Sequence, residues 1–224
     1  TIKSLAVKHK AFDKVRLFYS TRKKGLKATL TAGDLTYEAE DEADKKYSMM
    51  EWDLPNKIST FKIRLEGDAE LYGFCLTGDK GVAVTNIGLR GSSGTFFTRI
   101  DAKSFKYMHN ALNTRLVIME FGGNATPYLS TDKKIEGYYS SMEAQIKFVK
   151  QQLPKAKIIL IGPADMAETV DGKLQTYRNL EKTVDLMRRV AKDNGVAFWN
   201  MYGVMGGKHS IISWVSNKPA LAAS

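Results

Sequence analysis

Gly81-Val82-Ala83-Val84-Thr85-Asn86-Ile87-Gly88-Leu89-Arg90-Gly91 and Leu116-Val117-Ile118-Met119-Glu120-Phe121-Gly122-Gly123-Asn124-Ala125 decide the reading of this chain. Each is a short apolar run that breaks at glycines, the pattern of a strand ending in a turn. From residue 81 onward such runs alternate with helical periodicity. Strands are expected at 82–86, 115–121, 156–161 and 196–200. Ile135 to Leu153 and Gln175 to Asn194 place apolar residues at i, i+3 and i+4 and are expected as helices, with Pro154 and Gly195 marking their ends. This alternation predicts a parallel sheet with helices on both faces, joined by right-handed crossovers. Both glycine turns then fall at the carboxyl ends of strands, where open α/β sheets hold their ligands.

The residues before this region read differently. Phe12-Asp13-Lys14-Val15-Arg16-Leu17-Phe18-Tyr19 and Phe61-Lys62-Ile63-Arg64-Leu65-Glu66 alternate apolar with charged side chains, so each presents one apolar face to a partner sheet. Gly25, Gly33-Asp34, Gly67-Asp68 and Gly78-Asp79 punctuate the runs. The pattern is that of a small antiparallel β-sandwich or jelly roll, with the acidic stretch Glu38 to Asp44 as a solvated loop. Two domains are expected, a β module over 1–80 and an α/β core over 81–224.

Composition narrows the function classes. The formal charge is +10, which favours anionic partners, yet the lysines are scattered and no nucleic-acid motif accompanies them, so nucleic-acid binding is not expected. No run approaches the roughly 20 apolar residues that span a bilayer. The one cysteine, Cys75, has no partner for an internal disulfide and reads as a buried, inert thiol in Leu71 to Leu76. No His/Cys/Asp/Glu cluster has metal-ligand spacing, and the glycine turns lack the lysine of a phosphate-binding loop, so chemistry without a cofactor is expected.

The order N-x-G-x-x-G (Asn86 to Gly91) and then G-x-N (Gly122 to Asn124), about thirty residues further on, resembles the second and third sequence blocks of the SGNH (GDSL-like) hydrolases. Ala197 to Tyr202, Met205-Gly206-Gly207 and Trp214 through Ala222 resemble the stretch that precedes the Asp-x-x-His block in one branch of that family. The resemblance implies a flavodoxin-like three-layer α/β/α core and a serine esterase. The β module becomes an insertion before the second block. By position, Gly91 supplies a backbone donor and Asn124 a side-chain donor to an oxyanion hole, with Arg90 and Gly123 beside the substrate. The implied substrate is an acylated glycan or another small ester, and the implied location is periplasmic, cell-surface or secreted.

Two departures accompany the match. The three Gly-Asp pairs continue Leu35, Ala69 and Lys80, none a serine, and the sequence ends at Ala223-Ser224, where the Asp-x-x-His block is due. The span is therefore expected to hold the oxyanion hole of an esterase whose nucleophile and base lie elsewhere. The alternative is a catalytically incomplete glycan-binding protein on the same fold, and a flavodoxin-like nucleotide binder is a third, weaker reading. Ala125 stands where the family carries an acid. His209 is the histidine nearest the missing block and reads as a solvated or capping residue; His9 and His109 have no motif around them. Ser92 and Ser93 lack the spacing of a nucleophile elbow and are expected to start a helix. Asp165 is expected to cap a turn.

Overall fold

The computed structural model describes residues 2–3, 11–78 and 80–222. Between Ile87 and Gly88 the chain divides into two compact units.

The first unit is antiparallel throughout: β1 (Ile2–Lys3), β2 (Phe12–Ala32), β3 (Leu35–Asp41), β4 (Ser48–Ile58) and β5 (Thr60–Thr77). β2 is its spine. β5 runs along nearly its whole length, while β4 pairs with its first half (Val15 opposite Trp52) and β3 with its second (Leu26 opposite Asp41, Ala32 opposite Leu35). The register with β5 shifts between Thr21 and Leu26, and such bulges bend strands. Val15, Leu17 and Tyr19 from the first half then share one core with Leu26, Ala28 and Leu30 from the second, together with Met50, Trp52, Leu54 and Phe61. The sandwich-like core thus comes from one five-stranded sheet folded upon itself. The stretch from Glu38 corrects the expectation of a loop: Glu38 to Asp41 complete the edge strand β3, because Tyr37 and Ala39 alternate toward the core while Glu38 and Glu40 face solvent.

The second unit contains α1 (Ala102–Ala111), β6 (Leu116–Glu120), α2 (Asp132–Gln152), β7 (Lys157–Ile161), β8 (Ala167–Val170), β9 (Lys173–Thr176), α3 (Leu180–Asp193), β10 (Ala197–Trp199), α4 (Met201–Met205) and α5 (Ser210–Ser216). β6, β7 and β10 form a parallel sheet in the order β10-β7-β6. The fold is α/β with an antiparallel module ahead of it, as the sequence predicts. Three of the four expected strands are present within a residue or two.

The fourth, 82–86, is not a strand. Residues 81–89 have no regular structure, and Val82 and Val84 are 90% and 87% exposed. An extended segment is stable only when a neighbour takes up its backbone hydrogen bonds, and none pairs with it among the described residues. The expected helix from Gln175 is also corrected. Lys173–Thr176 instead pair with β8 in a hairpin whose turn residues, Asp171 and Gly172, both have positive φ, the geometry that Asp-Gly favours. Ser92 and Ser93 start no helix either; α1 begins ten residues on, capped by Asp101, whose side chain accepts from the Ser104 N–H.

Because β6, β7 and β10 are wound in one direction, right-handed crossovers place α2 and α3 on the same face. Val117, Met119, Ile158, Leu160 and Phe198 meet both helices in one core there. On the opposite face Ile118 lies beside Ile159 and Ala197, and Ile161 beside Trp199. Ile118 is 56% and Trp199 52% exposed. Of the three expected layers, the sheet and one helical layer are thus formed among the described residues.

Candidate functional site

The site sits at the carboxyl end of β6. After Glu120 the chain reverses at Gly122, whose φ is +106°. A Cβ there would lie 2.6 Å from Met187 Sδ and 2.8 Å from Pro163 Cδ, so the turn is pressed against α3 and the segment leaving β7. The Gly122 carbonyl accepts from Ala125 N–H (3.1 Å), Thr126 N–H (2.9 Å) and the Thr126 hydroxyl (2.9 Å). Thr126 is fully buried, with its Oγ1 3.3 Å from Thr183 Oγ1 on α3. Asn124 projects from this anchored turn into solvent.

The Asn124 amide Nδ2 donates to the Ser92 carbonyl at 3.1 Å. This bond joins the two glycine turns that lie about thirty residues apart in sequence. On the other side of it, the Ser92 N–H donates to Leu89 O at 3.1 Å, closing a turn around Arg90 and Gly91, the latter at φ +77°. Beyond Ser92 the loop is held firmly. Its hydroxyl accepts from Gly94 N–H at 3.1 Å, the Tyr138 hydroxyl on α2 donates to Ser93 O at 2.8 Å, and the Phe121 ring lies where a Cβ on Gly94 would stand. Burial pushes the Tyr138 hydroxyl far above the usual phenol range, so it stays a proton donor at any physiological pH.

Among the described residues nothing accepts the Gly91 N–H, and Asn124 spends one of its two amide hydrogens. The two loops, joined by a direct hydrogen bond, thus each keep an uncommitted donor, the Gly91 N–H and one Asn124 amide hydrogen. Arg90 is exposed and makes no ion pair among the described residues. Gly123 has open space where a Cβ would stand.

Asp165 holds the start of a distant helix and not a turn of its own loop: Oδ2 accepts from Ile211 N–H (2.9 Å) and the Ser210 hydroxyl (3.2 Å) at the start of α5. His209 donates its N–H to Thr176 Oγ1 at 2.7 Å and leaves its ring exposed. His109 is half-buried, Nδ1 3.0 Å from Thr114 Oγ1 and its ring against Phe105, and burial lowers its pKa. His9 lies outside the described residues. Cys75 is half-buried on β5, where burial raises its thiol pKa and keeps it protonated. Sequence reasoning missed the supports: Tyr138 is one more apolar position on the helical stripe of α2, whereas Gly94, three residues after Gly91, carried a readable hint of close approach. Among the described residues no group of His, Cys, Asp and Glu is placed to hold a metal ion, and no helix is long and apolar enough to cross a membrane.

No family model and no curated protein matches this chain. Solved structures do. A peptidoglycan O-acetylesterase superposes with a TM-score of 0.64 at 20% identity, over 94% of this chain and 59% of that one. An acetyl xylan esterase, AlAXEase, gives 0.36 at 16% identity over 54% of this chain and 61% of its own. A family two carbohydrate esterase from Cellvibrio japonicus gives 0.31 at 10% identity, over 84% and 76%. The first likeness shows a shared fold, of which this chain spans 59% of the longer protein's length.

Proposed function

We propose that this chain carries the oxyanion-stabilising part of an SGNH-type serine esterase that removes O-acyl groups, acetyl first among them, from a polysaccharide or peptidoglycan. The observation that carries the reading is the Asn124 to Ser92 hydrogen bond, which brings the Gly91 turn to the Asn124 turn. The fold shared with a peptidoglycan O-acetylesterase supports it.

In this reaction a serine attacks the ester carbonyl and a histidine takes its proton, so that negative charge gathers on the former carbonyl oxygen. Gly91 N–H and the uncommitted hydrogen of Asn124 Nδ2 receive that charge. Tyr138, Phe121 and Thr126 hold the two turns so that the donors are set before the charge develops, which is where such sites gain their rate. Arg90, exposed beside Gly91, meets the substrate outside the reacting ester. The reading requires a Gly-Asp-Ser serine and an Asp-x-x-His base from residues beyond this span, and a periplasmic, cell-surface or secreted location belongs to it.

The test is hydrolysis of p-nitrophenyl acetate and release of acetate from O-acetylated peptidoglycan and acetylated xylan by the full product of the native gene. Turnover on the model ester and on one glycan is expected. Inactivity on all three by folded protein overturns the reading.

A further inference from the structure

A second site emerges in the first unit, at one end of the folded sheet. Between Phe12, opposite Ile58, and Lys14, opposite Asp53, the register of β4 slips, so that the four residues Leu54 to Lys57 stand across from Asp13 alone. Pro55, lacking an N–H, sits in this bulge. The bulge lies beside the β2–β3 hairpin, and the two border an open cleft of about 310 Å³, at the small end of the roughly 300–1,000 Å³ of ligand sites.

Its floor is apolar: Ala32 and Leu54 are buried and Ile58 is half-buried. Tyr37 and the 47% exposed Leu35 form a wall, and Asp34 and Asn56 stand at the rim. The side chains of Asp34, Tyr37 and Asn56 make no hydrogen bond or ion pair among the described residues. A carboxylate that only accepts, an amide that donates and accepts, and a phenol that does both therefore surround one apolar surface with their capacity unspent.

We infer that this cleft binds one sugar ring of a neutral glycan. A pyranose has the matching two-sided chemistry, an apolar C–H face for Tyr37, Leu54 and Ile58 and hydroxyls for Asp34 and Asn56. Bonds from hydroxyls to the Asp34 carboxylate are charge-assisted. With an acid and no base among the lining residues, the cleft disfavours phosphate or carboxylate ligands. This site goes beyond the esterase reading and does not rest on it.

Titration of the full chain with chitotetraose, cellotetraose and xylotetraose, followed by calorimetry and by tyrosine and tryptophan fluorescence, tests the inference. Saturable binding of at least one, with Kd below about 1 mM, is expected. Asn56→Ala and Tyr37→Ala each weaken it tenfold or more, which places the binding at this cleft. Asn56 lies exposed in the bulge, so its variant stands if Tyr37→Ala does not fold. No saturable binding of any probe, or binding that Asn56→Ala leaves intact, overturns the inference whatever the esterase assay shows.

Discussion

The two turns that meet at Asn124 and Ser92 are held in very different ways. The turn after β6 is built into the core: Gly122 touches α3, its carbonyl takes three hydrogen bonds, and Thr126 beside it is fully buried. The other turn is anchored from Ser92 onward, but everything from 81 to 91 is exposed. One donor is therefore fixed by the fold. The other is fixed by a short tether of Ser92, Gly94 and Tyr138. A site of this kind keeps its amide donor in place by packing and its backbone donor by a few local bonds, so changes to each side should cost different things.

The largest expected effect is at Gly122. Gly122→Ala forces an L side chain to positive φ and into Met187 and Pro163, and should lower unfolding stability by about 3 kcal/mol in urea denaturation. Thr126→Val removes a buried hydroxyl that bonds the Gly122 carbonyl and should cost about 1–2 kcal/mol. Tyr138→Phe frees the Ser93 carbonyl and should cost about 1 kcal/mol, with faster amide exchange in residues 91–95 than in 122–126. At the far end, Val82→Ser changes a side chain that is 90% exposed and should leave stability within about 0.5 kcal/mol. A large loss at Val82 would show that 81–91 is as firmly packed as the β6 turn, and the contrast would fall.

The second unit also has a pH signature. Burial lowers the His109 pKa below its ordinary 6.5, so the unfolded chain binds a proton more readily than the folded one. The stability this contributes is present above pH 6.5 and is lost as pH falls from there toward the folded value. Urea midpoints of the second unit should decline over that window, and His109→Gln should flatten the decline. The first unit answers to more acid conditions. Burial alone would raise the Asp41 pKa, but hydrogen bonds from Ser48, Tyr19 and the Glu42 N–H outweigh it and hold the carboxyl below the usual range. Its contribution is fully present above the ordinary carboxylate value of 3.8 and is lost as pH falls from there through the lowered folded value.

The same contrast explains what was legible in the sequence. Residues 82–86 and 116–120 carry nearly the same local code of apolar residues before glycine, yet only the second is a strand, because β7 lies beside it and among the described residues no strand lies beside the first. Periodicity reports a preference, and pairing decides it. The amphipathic stripes of α2 and α3 were readable since burial at i, i+3 and i+4 is local; Leu180, Thr183, Val184 and Met187 are all buried. The Asp-Gly hairpin at 171–172 was hidden because the helical period that begins at Gln175 overlaps the last two residues of its second strand. The two glycine turns stood out through the spacing of their motifs, and the Asn124 to Ser92 hydrogen bond joins them. Tyr138 did not stand out, because a buried tyrosine on a helix looks like core until its hydroxyl is seen to hold Ser93.

The central claim is that the Asn124 amide and the Gly91 N–H serve one oxyanion, and the most direct measurement is the kcat of Asn124→Ala in the full native gene product with p-nitrophenyl acetate. The account predicts a fall of about 10²–10³-fold, with the unfolding midpoint nearly unchanged because the amide is exposed. A variant that folds and turns over at the parent rate would contradict it.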